Sequence, residues 1–257
     1  MSKSNPRIEN PCKKFITWKG DKGHFVYYDK ETEKEVIMPL PVYFVWLDEL
    51  ATITGYCKKH DCGIYSNEVR KTTEEILRVK TFKGGESITG IYADIKDSII
   101  ALGGSFTKSV YVMLVGENVT PELVNFKFHG SAFSGWLEKK FNPDECTTGI
   151  LSFREETNGN INYKVPVFQA FKLSPDTDQL AFSMDIELQE YLKEYKALQP
   201  EKETPKIETV EEIQANGQWV KESRKQVSAP EFSDLPWEYQ EKKDPVDPYA
   251  KKDVLPY

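Results

Sequence analysis

The chain has 257 residues, 39% of them hydrophobic and 12% aromatic, with 34 basic and 41 acidic side chains for a net charge of −7. No apolar run approaches the ~18 residues of a membrane span, and the opening Met-Ser-Lys-Ser-Asn-Pro lacks the apolar core of a signal peptide. These features predict a polypeptide with neither, working in the cytoplasm of a cell, and a chain long enough for one sizeable domain plus extensions.

Residues 1–13 are polar, carry Pro6 and Pro11, and read as a flexible arm. From Phe15 the pattern turns to strands and hairpins: Phe15–Trp18, a Lys-Gly-Asp-Lys-Gly turn, His24–Tyr28, a polar turn, and Glu35–Met38. Pro39 and Pro41 force an extended corner before Val42–Leu47, an apolar run without alternation that predicts a buried central strand. Ala51–Tyr56 and Gly63–Val69 continue the sheet. Ile76–Phe82 alternates Arg78 and Lys80 with Leu77 and Val79, a strand with one basic face.

Ile88, Ile91, Tyr92, Ile95, Ile99 and Leu102 recur at helical spacing, and Gly103-Gly104 ends that element. Lys108–Val115 and Leu123–Phe128 are strands again, and 130–137 fits either a short helix or a bulged strand. Thr147–Phe153 and Ile161–Phe171 flank Thr157-Asn-Gly-Asn160, a hairpin signal. Ser174-Pro175-Asp176 starts a closing helix whose one face carries Leu180, Met184, Leu188, Tyr191, Leu192 and Tyr195.

The predicted fold class is mainly β (α+β). Residues 14–198 form an OB-fold-like antiparallel barrel with insertions, one mid-domain helix and one closing helix, and a β-sandwich is the competing layout. A charged linker at 199–227 and a disordered acidic tail at 228–257 follow. From Glu201 onward there are 13 acidic and nine basic residues, so the body has a net charge near −3 and can still present a basic face.

Cys57-Lys-Lys-His60-Asp-Cys62 has residue types for zinc but lacks a second close-spaced pair, so these thiols read as reduced and no cofactor is expected. No phosphate-binding glycine loop, His-Glu-x-x-His or Gly-x-Ser-x-Gly is present, and no enzymatic activity is expected. The body instead interleaves aromatic and basic residues: Trp18 with Lys19 and Lys22, Tyr28 with Lys30, Tyr65 with Arg70, and Phe82 with Arg78 and Lys80. Aromatic faces stack on unpaired bases and neighbouring cations meet phosphates, so these ten are the candidate contacts to single-stranded nucleic acid.

The tail repeats an acidic, apolar, Pro-aromatic phrase, first at Asp234, Leu235, Pro236 and Trp237 and again from Asp253 through Val254, Leu255 and Pro256 to Tyr257. That phrase resembles the acidic tip of bacterial and phage single-stranded-DNA-binding proteins. The resemblance implies docking of replication and recombination partners at these residues, with Tyr257 in place of the usual Phe. The body, through Trp18–Asp29, Ser66-Asn-Glu-Val69, His129–Trp136 and Ile186–Leu192, is similar to single-stranded-DNA-binding proteins of crAss-like phages. It implies sequence-independent single-stranded DNA binding in phage replication and a host-cell setting. An acidic tail can also compete weakly for a basic groove, an effect diluted here by Lys242, Lys243, Lys251 and Lys252. The competing function is a phage structural or host-takeover module whose aromatic surface meets protein.

Overall fold

In a computed structural model, which describes residues 9–117 and 119–197, the chain is organised around one sixteen-residue strand, β4 (Val42–Cys57). The segments Val42–Leu47 and Ala51–Tyr56, expected as separate strands, are its two halves. A bulge between Trp46 and Asp48 shifts the pairing with β8 (Gly104–Val115) by one residue. Val42 and Phe44 before the bulge and Ala51 and Ile53 after it therefore sit on the same side of the sheet despite their opposite parity.

Three strands precede β4: β1 (Lys14–Lys19), β2 (His24–Asp29) and β3 (Lys34–Met38). After it come β5 (Cys62–Ser66), β6 (Leu77–Thr81), β7 (Ser87–Gly90), α1 (Tyr92–Leu102), β8, β9 (Glu122–Phe128) and α2 (Ser131–Leu137). A single 3-10 turn, Pro143–Glu145, leads into β10 (Cys146–Asn158), β11 (Ile161–Lys172) and α3 (Pro175–Ala197). The mid-domain helix begins at Tyr92 rather than Ile88, because Ser87–Gly90 is taken up as β7 against β6. Gly103 ends α1 with φ 97°, its N–H returning to the carbonyls of Ile99 and Ile100. No helix among the described residues is long and apolar enough to cross a membrane.

The mainly-β class with helices holds, but the sheet does not close into a barrel. Its path runs β3-β2-β1-β9-β8-β4-β5-β6-β7, and a β10–β11 branch leaves from the first half of β4. It is not wholly antiparallel either, since β1 and β9 run parallel. The hairpin returns toward β1 through Phe153, whose ring lies 6.5 Å from that of Trp18, and through the backbone of Lys164: its N–H reaches the Gly20 carbonyl at 2.8 Å, and its carbonyl accepts from Trp18 Nε1 at 2.8 Å. Two such bonds tie the branch down without completing a ladder. The proposed linker (199–227) and tail (228–257) lie outside the described residues.

On one side of the sheet Phe44, Phe126, Phe128 and Ile16 pack with Trp136 of α2, and Ile53, Ile64 and Val79 pack with Ile95 and Ile99 of α1. On the other side α3 lays Ala181, Leu188 and Leu192 over Val45, Met113, Leu50 and Tyr111. Ser174 caps α3 as expected, its Oγ accepting from the Thr177 N–H at 3.2 Å, with Asp176 and Asp178 in the first turn favouring the helix dipole. α3 reaches β4 only over its first half, so among the described residues no helix lies on the far half of this second face, from Thr54 outward to β7.

The border between covered and open halves is held by Glu68. Its carboxylate accepts from Lys127 Nζ at 2.6 Å and from the hydroxyls of Ser109 and Tyr111, each at 2.5 Å. Ser109 Oγ in turn accepts from Lys127 and Asn125, both at 2.8 Å, and the Glu68 N–H donates to the Tyr195 hydroxyl of α3 at 3.1 Å. Burial alone would raise the Glu68 carboxyl, but the Lys127 charge and the three hydrogen bonds outweigh it and hold it below the ordinary range. This contribution to stability is complete at neutral pH and is lost as pH falls through that depressed value. Glu68→Gln, which strands a buried ammonium, is expected to cost about 3–5 kcal/mol in urea unfolding at pH 7, with the difference from wild type shrinking in acid.

Candidate nucleic-acid interface

β6 shows how the open face arises. Leu77, Val79 and Thr81 point at α1 and are buried, so Arg78 and Lys80 must project from the opposite side. Lys80 lies directly across from Tyr65 on β5, and Tyr65 across from Thr54 on β4. Phe82 continues the same row, its N–H bonded to the Gly63 carbonyl at 3.0 Å. Four of the ten candidate contacts, Tyr65, Arg78, Lys80 and Phe82, therefore share one face.

The Tyr65 and Phe82 rings pair with centroids 4.6 Å apart and planes inclined by 34°. Tyr65 within β5 is 41% exposed, and Phe82, one residue past the end of β6, is 70% exposed. Gly63 contributes to this arrangement. A Cβ there would lie 3.0 and 3.1 Å from two Phe82 ring carbons, so a side chain at 63 would push the ring off the β5 backbone by a few tenths of an ångström. Tyr56, 52% exposed and opposite Gly63, adds a third ring, and its hydroxyl donates to the Asp61 carboxylate.

The surrounding charges are predominantly basic. Lys59 and His60 both hold Glu86, at 2.5 and 2.8 Å, and these bonds keep the Glu86 carboxyl below its ordinary range. Lys58, Lys80 and Lys83 make no ion pair among the described residues. Cys57 and Cys62 face each other across the β4–β5 hairpin, buried and unbonded to one another, while His60 turns to Glu86.

The other candidates lie elsewhere. Trp18 is 5% exposed, packed 4.7 Å from Phe25 with its indole N–H on the Lys164 carbonyl, and is a core residue without a face to offer a base. Arg70 is likewise committed: its guanidinium grips Asp48 at 2.7 and 2.5 Å, which raises its pKa further, and reaches Gln189 of α3 at 3.3 Å. Lys19 pairs with Glu35 at 2.9 Å. Tyr28 is 60% exposed on β2, but Lys22 and Lys30 occupy the turns at opposite ends of that strand. The tail candidates Asp234, Leu235, Pro236, Trp237, Asp253, Leu255, Pro256 and Tyr257 lie outside the described residues.

Sequence reasoning passed over Tyr56 and Gly63. The signal for both is the four-residue Lys58–Asp61 turn, which sets them opposite each other once Cys57 and Cys62 are paired.

If the exposed rings serve binding rather than packing, removing them leaves the fold intact. Tyr65→Ala and Phe82→Ala are each expected to change unfolding free energy by at most about 0.5 kcal/mol, whereas Trp18→Ala should cost about 3–5 kcal/mol in the same denaturant titration. Against known proteins, no family model, no curated sequence and no solved structure matches this chain.

Proposed function

We propose that the chain binds single-stranded DNA, without sequence preference, on the open face of β4–β7. The Asp-Leu-Pro-Trp and Asp-Val-Leu-Pro-Tyr phrases of its tail then recruit replication or recombination partners. The observation that carries this reading is the Tyr65–Phe82 ring pair, set beside Lys80 and Arg78 on a sheet face that no helix among the described residues covers. Flat rings stack on any base, which gives affinity without sequence readout, and the flanking cations meet phosphates. The resemblance of the body and tail to phage single-stranded-DNA-binding proteins supports the same reading, and a role in phage DNA replication within the host cytoplasm is part of the proposal.

A protein-docking role is the alternative, and the exposed Phe182 and Ile186, one turn apart on α3, favour it. The two readings differ in their response to salt. A fluorescent oligo-dT should bind the full chain with affinity that falls as salt rises. Tyr65→Ala and Phe82→Ala should each weaken it about tenfold, as loss of one stacked base implies. Lys80→Ala should lower the log–log salt slope by about 0.7. Alanine at Leu255, Pro256 and Tyr257 should leave oligo-dT affinity unchanged. Salt-independent binding, or none, sinks the proposal.

A further inference from the structure

A second site lies on different elements. The residues after α2 and the middle of β11 enclose a cleft of about 430 Å³, within the ~300–1,000 Å³ range of small-molecule sites. Phe141, Pro166, Val167 and Phe168 supply an apolar wall, and Lys139, Lys140 and Arg154 stand at its rim with Glu138. The rim carboxylate is partly offset: Arg154 shares its one charge between Glu138 at 2.7 Å and Glu156 at 2.6 Å, so the surplus of positive charge at the rim comes from Lys139 and Lys140.

Among the described residues Lys139 makes no such ion pair. The carboxylate nearest to it in effect, Glu49, is spent on Lys108 at 2.9 Å and on the Trp136 indole N–H at 3.1 Å. Two ammonium groups thus lean on one carboxylate, and Lys139 rests instead over the Trp136 ring, 4.1 Å from its centre. Its half-burial, with Lys108 nearby, lowers its pKa despite Glu49. An anion arriving in the cleft would relieve that imbalance.

We infer that this cleft binds a phosphate carried on a flat ring, with Lys139 taking the charge and the Phe141, Pro166, Val167 and Phe168 wall taking the ring. That is the chemistry of a nucleoside monophosphate, either free or as one unit of a strand. Trp136 reports on it, because its ring touches the Lys139 ammonium. In the full chain, titration with dTMP should move the Trp136 indole N–H signal to saturation. Thymidine and inorganic phosphate should each bind at least about tenfold more weakly, since each offers only half of the recognised chemistry. Lys139→Gln should weaken dTMP about tenfold or more while leaving the thermal midpoint and oligo-dT binding at Tyr65 and Phe82 in place.

Oligo-dT added to the Tyr65→Ala/Phe82→Ala double variant separates the sources. A Trp136 shift there assigns the ligand to a strand, and a shift with dTMP alone assigns it to a free nucleotide. A Trp136 signal unmoved by both, or dTMP binding unchanged in Lys139→Gln, overturns the site. Inorganic phosphate binding as tightly as dTMP overturns the part given to the ring.

Discussion

A buried carboxylate has to be matched, and the way Glu68 is matched determines much of the molecule. One side chain draws together Ser109 and Tyr111 of β8 and Lys127 of β9, while its own backbone N–H meets Tyr195 of α3. Its neighbours extend the constraint. Ser66 Oγ accepts from the Ile53 N–H, Asn67 binds the backbone of Ile76 and Arg78, and Val69 bridges to Ala51. The connection from β5 to β6 is therefore held at nearly every residue, although it is not itself regular structure. Side chains carried by β5 and β6 inherit that order, and a surface ordered before its ligand arrives loses less conformational entropy on binding.

The same border explains why one half of a sheet face is covered and the other open. Arg70 grips Asp48 of β4 and Gln189 in the second half of α3, so that contact fastens the helix to the covered region, and Tyr195 meets Glu68 two turns further on. Beyond it, α1 seals the reverse side and supplies the burial that the β5–β7 strands need. The outward side is then relieved of any packing duty. Large rings can remain there because the reverse face already supplies the hydrophobic stabilisation.

Much of this was legible locally, and the failures have specific causes. The alternation in Leu77–Thr81 assigned Arg78 and Lys80 to one face correctly, because period-two patterning needs no knowledge of distant partners. Trp18 follows the same alternation, but which side of β1 is buried depends on Phe25, Phe153 and Lys164, the last of them 146 residues away. Arg70 looked available until Asp48, 22 residues earlier, came beside it. The parallel β1–β9 pairing and the branch at β4 are long-range events with no local mark, and the Leu47 bulge disguised one strand as two. Tyr56 stood in plain view within a strand, but its neighbour Gly63 gives it meaning only when the hairpin is folded.

The lengths of the sheet's outer strands bear on crowding. β3 has five residues and β7 only four, and these are the two ends of the nine-strand path. β3 begins with Lys34 and Glu35, and β7 closes at Gly90 against the start of α1. A neighbouring copy aligned with either end would find few backbone groups to pair with and, at β3, charge that must be desolvated. Crowded copies would thus gain little by joining their sheets at those two ends, whereas β11, twelve residues long and paired only with β10 among the described residues, is the longer edge of the sheet.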